Sequence, residues 1–284
     1  IEISEVFSTL PNFKSDINKN YSSKGILNFN GNLKGVLNNN NKLDFMVNFN
    51  TKNAFFEIQK NHIQFEKINL QGNFKSKSQT LNISQFSTVI DSQIVSGDVK
   101  ISNFKDPKYQ INLNGKVDLK KIPELFKIEN LNLKGISKFD LHSNIDTKND
   151  SLIFKKLTGS FNCQNLFIEN PSNKIQLQNI LIALPKEQMR VELERGVLNG
   201  DTFSIRASWE NWKETFFSNN KNISINYSAK VKQFHLDHFL NAIKSKDSSN
   251  YKYSLKGSIN AEKVLYENLN FDNLQIKKLL FNED

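Results

Sequence analysis

The chain of 284 residues carries 38 Lys and Arg against 29 Asp and Glu, a formal net charge of +9, with 38% hydrophobic side chains, 23 Phe and a single Cys. This apolar content excludes a chain too polar to bury a core, and one cysteine excludes an internal disulfide. There is no apolar run of about 18 residues, so no stretch of this sequence spans a bilayer as a helix.

Only Arg190, Arg195 and Arg206 are arginines, and the lysines are scattered through strands and turns. Nucleic-acid sites favour arginine forks and clustered basic stripes, so no nucleic-acid partner is expected. The diffuse charge fits a weak attraction to anionic membrane surfaces better. The 42 Asn lie in strands as well as turns, where Asn is normally depleted, and compositional bias is the ordinary reading of them.

In chain order, ISEVFSTL opens with Ile3, Val6, Phe7 and Leu10 at helical spacing. Strands with one apolar face follow: Leu27, Phe29, Gly31, Leu33 and Gly35, then Leu43, Phe45, Val47 and Phe49, then Val95, Gly97, Val99 and Ile101. In DPKYQINLNGKVDLKKIPELF the rhythm changes midway. Ile111, Leu113, Gly115 and Val117 are spaced by two, whereas Leu119, Ile122, Leu125 and Phe126 have helical spacing. Cys163 alternates into a strand as a small buried hydrophobe. Phe203, Ile205, Ala207 and Trp209 form another apolar face, as do Ile223, Ile225, Tyr227, Ala229 and Val231. Leu236, Phe239, Ala242 and Ile243 then copy the spacing of the earlier helix. Loops are expected at 38–42, 146–151, around Asn170, at 211–222 and at 244–250.

One greasy and one polar side make an antiparallel sheet with a single dry face, since parallel strands covered on both sides read as continuous apolar runs. Leucine two before glycine recurs at Gly35, Gly72, Gly115, Gly135, Gly159, Gly200 and Gly257, which suggests a systematically curved sheet. YSSKG, LNLKG and YSLKG each follow a helical stretch. The internal units are therefore about 21–126, 131–243 and 253–284, the third incomplete, in one continuous body. The sequence starts and stops mid-pattern, as expected of a segment of something longer.

Chemistry is sparse. His235 and His238 flank Asp237 without a third ligand at a recognisable spacing, and the reading preferred there is a solvated helix face. Glu192 and Glu194 alternate with Val191 and Leu193 as solvent-facing residues would. GxSxG, GxGxxG and P-loop motifs do not occur, so no enzyme, cofactor or metal is expected. The apolar face leaves two readings open: a closed core, or an open curved surface holding an apolar ligand.

GDVKISNFKDPKYQINLNGKVDLKKIPELF, KGILNFNGNLKG and GSINAEKVLYENLNFDNLQI together resemble the AsmA-like family of Gram-negative cell envelopes (the AsmA/TamB type), most closely its large Bacteroidetes members, over nearly the whole chain. The resemblance implies a mostly β fold, an elongated curved antiparallel sheet forming a groove or taco with a few short helices at repeat junctions. It implies a periplasmic protein anchored to the inner membrane through a segment outside this chain. Its role would be to shield phospholipid or other acyl lipid in transit toward the outer membrane, with inner- and outer-membrane protein partners. Leu43, Phe45, Val47, Phe49, Ile111, Leu113, Val117, Phe203, Ile205, Ile223 and Ile225 are then expected to face the groove. Leu119, Ile122, Leu125, Phe126, Leu236 and Phe239 are expected on helices that cap or narrow it.

Overall fold

The computed structural model describes residues 1–5, 21–34, 44–59, 62–125, 130–148, 151–170, 174–185, 188–198, 200–217, 222–235 and 252–282. It is mostly β, an antiparallel-dominated sheet, as the sequence pattern predicts, and among the described residues helix is confined to short turns. Two compact units are distinguished: Ile1–Asp118 with Lys138–Leu157, and Leu119–Ser137 with Thr158–Asp284.

In the first unit, β1 (Tyr21–Lys24) and β2 (Leu27–Lys34) both pair antiparallel with β3 (Asp44–Ile58) and are separated at Gly25. Gly25 has φ of 127°, and a β-carbon there would meet that of Ala54 at 2.8 Å, so only glycine fits the break. Strands β4 (Ile63–Lys75), β5 (Thr80–Ile90), β6 (Gln93–Ser102) and β7 (Lys108–Asp118) follow, each antiparallel to the one before. Next in the hydrogen-bonded order come β8 (Asn132–Lys148) and β9 (Ser151–Glu169), long strands whose residues are divided between the units.

The second unit continues from β9 through β10 (Lys174–Leu184), β11 (Met189–Leu198), β12 (Asp201–Trp209) and β13 (Asn222–His235), all antiparallel. β14 (Lys252–Tyr266) then lies parallel to β13, and β15 (Leu269–Asn282) pairs antiparallel with β14. The parallel pair departs from the all-antiparallel expectation. The connection through 236–251 is long enough for a parallel crossover, which needs a dozen or more residues; a tight turn would force the antiparallel alternative.

Several strands are far longer than the seven to eleven residues that simple alternation suggests, because bulges reset the phase. In β3, Phe45, Val47, Phe49 and Thr51 share a face. An extra residue with Asn53 at φ 52° then returns Ala54, Phe56 and Ile58 to that face. Lys67 at φ 49° does the same between Phe65 and Ile68 in β4. Asn165 and Asn179, both at φ 54°, repeat the device in β9 and β10, each at the same sequence distance from its counterpart in the first unit. The bulges free backbone groups, and side chains satisfy them. Asn69 Oδ1 accepts from the Asn53 N–H at 3.1 Å, while its Nδ2 donates to the Lys67 carbonyl at 2.8 Å. Thr88, itself buried, donates to the Glu66 carbonyl at 3.0 Å. Asparagine in these strands therefore has structural work as left-handed residue and as backbone partner, beyond compositional bias.

Leu119–Lys121 is a single 3-10 turn leading into α1 (Ile122–Leu125). Within the stretch expected to be a loop at 211–222, α2 (Trp212–Phe217) forms instead. Its Trp212 is buried, and Asn211 fixes the connection by accepting from Trp209 Nε1 at 3.0 Å and from the Ser224 N–H at 3.1 Å. A buried tryptophan and a side-chain clamp stabilise a helix too short to stand alone.

Candidate functional site

Cross-strand register decides which side chains share a side. In the first unit Val47 lies opposite Phe74, Phe49 opposite Gly72, Val99 opposite Ile111, and Gly97 opposite Leu113. In the second, Phe203 lies opposite Gly196 and Val231, Ile205 opposite Leu193 and Ala229, and Ile225 opposite Trp209 and Leu255. Of the residues expected to face a groove, Phe45, Val47, Phe49, Ile111, Leu113 and Val117 share the apolar side of the first unit, and Phe203, Ile205, Ile223 and Ile225 that of the second. Leu43 lies outside the described residues.

These faces are incompletely covered. Among the described residues exposed large hydrophobics occur on these faces, while Met46, Ile94 and Leu181 are exposed on the polar side. On the apolar side of the first unit Phe29 is 56% and Leu33 62% exposed; on that of the second, Leu269 is 55% exposed. Fully burying one such side chain is worth about 1.5–3 kcal/mol, so each exposed one leaves stabilisation that a covering ligand could supply.

Aromatic rings extend the first unit's apolar face beyond the residues read from sequence. Phe45, Phe74 and Phe104 form one row, with centroids 5.4 and 5.7 Å apart. Tyr21, Phe56 and Phe65 form another at 5.7 and 6.0 Å. Phe56 and Phe65 are set off by bulges from the neighbouring alternating runs, which hides them from a period-two search, whereas Phe74 continues the alternation of Leu70 and Gly72. The FEKINL spacing, with apolar residues three apart around a polar pair, was the available signal.

The second unit has a covered patch. Cys163, Ile180 and Leu193 are buried together at 6%, 7% and 7% exposure, and Leu119 packs against them beside Leu166, Leu177, Ile182, Val191, Phe203 and Ile205. The residue that opens the short helical stretch thus covers the apolar face. Ile122 is half-buried and Leu125 ends α1. Phe126, Leu236 and Phe239, with His238, lie outside the described residues. Burial pushes the Cys163 thiol above its ordinary range.

Two concavities lie on the polar side. One of about 990 Å³ in the first unit is lined by Asn48, Asn50, Gln71, Asn73, Gln85 and Asp98 among others. Another of about 440 Å³ in the second includes Glu192, Ser204, Arg206 and Lys230.

His235 is the end of β13 and not a helix residue as expected: its Nδ1 lies 2.8 Å from Asp201 Oδ2, tying β13 to the start of β12. Strand pairing continues to this point because Gln233 and His235 stay in register with Lys263 and Leu265. Glu192 and Glu194 are exposed, and Glu194 accepts a hydrogen bond from Asn179. Among the described residues no group of three metal-ligating side chains occurs, and no helix is long and apolar enough to cross a membrane. Comparison with known family models, with curated proteins and with solved structures finds no match.

Proposed function

We propose that the chain is a lipid-shielding segment of a periplasmic AsmA-like envelope protein, whose apolar sheet face holds phospholipid acyl chains in transit between the inner and outer membranes. The observation that supports this reading is made in each unit by itself: the apolar side is incompletely covered, with Phe29 and Leu33 exposed in the first and Leu269 exposed in the second. The sequence resemblance supports it independently.

The mechanism is solvation. Each methylene shielded from water is worth about 0.8 kcal/mol, so a chain laid across several strands is held firmly overall. A face of Phe, Leu, Ile and Val offers no polar anchor, so no single position holds the lipid tightly and lateral movement is not opposed. No residue performs covalent chemistry in this account, and the anchoring to the inner membrane belongs to sequence outside this chain.

A closed-core binding or structural module is the second reading, and the buried Cys163–Ile180–Leu193 patch under Leu119 favours it locally. Native mass spectrometry of the purified chain separates the two. The lipid reading expects co-purifying phospholipid that is lost on delipidation and regained from anionic or zwitterionic vesicles. A chain that emerges lipid-free and takes up none from vesicles is a closed module.

A further inference from the structure

The polar side of the first unit holds an arrangement that acyl-chain shielding does not use. Cross-strand register aligns Asn30, Asn48, Asn73 and Asn82 in one row over β2, β3, β4 and β5. Asn28, Asn50, Gln71 and Gln85 form a second row beside it. Residues directly opposite on paired strands sit about 5 Å apart, so these rows present carboxamides at a spacing close to the width of a pyranose ring.

Three features single this surface out from an ordinary solvated face. It is concave, an open cleft of about 990 Å³, near the upper end of ligand-binding clefts in size. Its side chains have spare capacity: Asn48, Gln71, Asn73 and Gln85 make no side-chain hydrogen bond to other described residues. Its lining carries only Lys52 and Asp98 as charged residues, one of each sign, in a chain that is 24% charged. An anionic ligand would find no excess of cations there, and an apolar one would strand the amides.

Each carboxamide offers two donors and one acceptor, the complement of a pair of neighbouring hydroxyls that donate and accept in turn. We infer that this trough is a binding site for an uncharged, polyhydroxylated chain, that is, a neutral oligosaccharide lying across β3, β4 and β5. The site faces away from the apolar surface and its occupancy is independent of lipid binding, so either reading can fail without the other. With no aromatic ring stacked on the sugar, binding is weak, in about the millimolar range.

The test is side-chain amide NMR of the chain titrated with maltoheptaose, cellohexaose and chitohexaose. The expected result is saturable shifts of the Asn48, Gln71, Asn73 and Gln85 amides with at least one probe. The shifts persist in high salt and are absent at the exposed amide of Gln176 in the second unit. Replacing both amides in Gln71→Ala/Gln85→Ala, with the fold checked by circular dichroism, should weaken binding about tenfold. Gln71→Asn, which keeps the chemistry, should retain most of it. The inference is overturned if no probe produces saturable shifts, if the double alanine variant binds as well as the parent, or if high salt abolishes the binding.

Discussion

The ring of Phe203 occupies the space a side chain at Gly196 would need: a β-carbon built at 196 would come within 2.5 Å of it. The same cross-strand pairing sets Phe49 over Gly72 and Tyr227 over Gly257. Glycine weakens a strand by leaving nothing to pack, and a neighbouring aromatic ring compensates. Gly196→Ala should therefore cost about 1–3 kcal/mol by overpacking. In urea unfolding, Gly196→Ala combined with Phe203→Ala should lose less than the sum of the two single changes, because removing the ring makes room. Strict additivity would separate the two residues energetically.

Asn165 at φ 54° should tolerate glycine and resist a β-carbon without a hydrogen-bonding head. Asn165→Gly is expected to be near neutral in thermal unfolding, and Asn165→Val to destabilise by about 1–2 kcal/mol. The same contrast should appear at Asn179. Equal effects of Gly and Val would contradict the bulge assignment.

Cys163 should be inert to thiol reagents while the chain is folded, since burial both shields it and raises its pKa. As pH rises past the ordinary thiol range an unfolded chain releases this proton while the folded chain keeps it. The folded state therefore loses this contribution on the alkaline side and keeps it below. Labelling by a disulfide reagent should follow global unfolding in urea and should not precede it.

Leu113→Asp places a charge on the apolar side of β7, whereas Gln110→Asp places one on the polar side opposite Lys100. Lipid capture should fall at least tenfold in the first and stay unchanged in the second. Asn112 is the less suitable control: it donates to both Asp98 oxygens at 2.9 and 3.2 Å and contacts His142 at 2.8 Å, so an aspartate there would meet a like charge.

The alternation of Ile111 and Leu113, or of Phe203 and Ile205, made the strands and their dry side legible, because burial on one face of a pleated strand writes itself at period two. The bulges were not legible. Asn53 and Lys67 adopt left-handed backbone through pairing with neighbouring strands, and the one local trace, the three-residue step from Phe65 to Ile68, does not by itself distinguish a bulge from the end of a strand, so the sequence pattern does not reveal Phe56, Phe65 and the length of β9. The parallel pairing of β13 with β14 is equally non-local, since YSLKG looks the same whichever way its neighbour runs. α2 escaped because one buried residue, Trp212, and the Asn211 clamp hold it in place of a repeating apolar face. The amide rows escaped because register, which aligns Asn48 with Asn73 and Gln71 with Gln85, belongs to pairs of strands and to no single one.

The central claim is that acyl chains lie on the apolar side and not on the polar one. A photo-reactive benzoylphenylalanine at Phe45 or Val47, with Asn48 as the neighbour pointing the other way, tests it on three nearly adjacent residues of β3. Irradiation with phospholipid vesicles should crosslink lipid at positions 45 and 47 and leave 48 unlabelled. Equal labelling at all three, or labelling at 48 alone, would contradict the account.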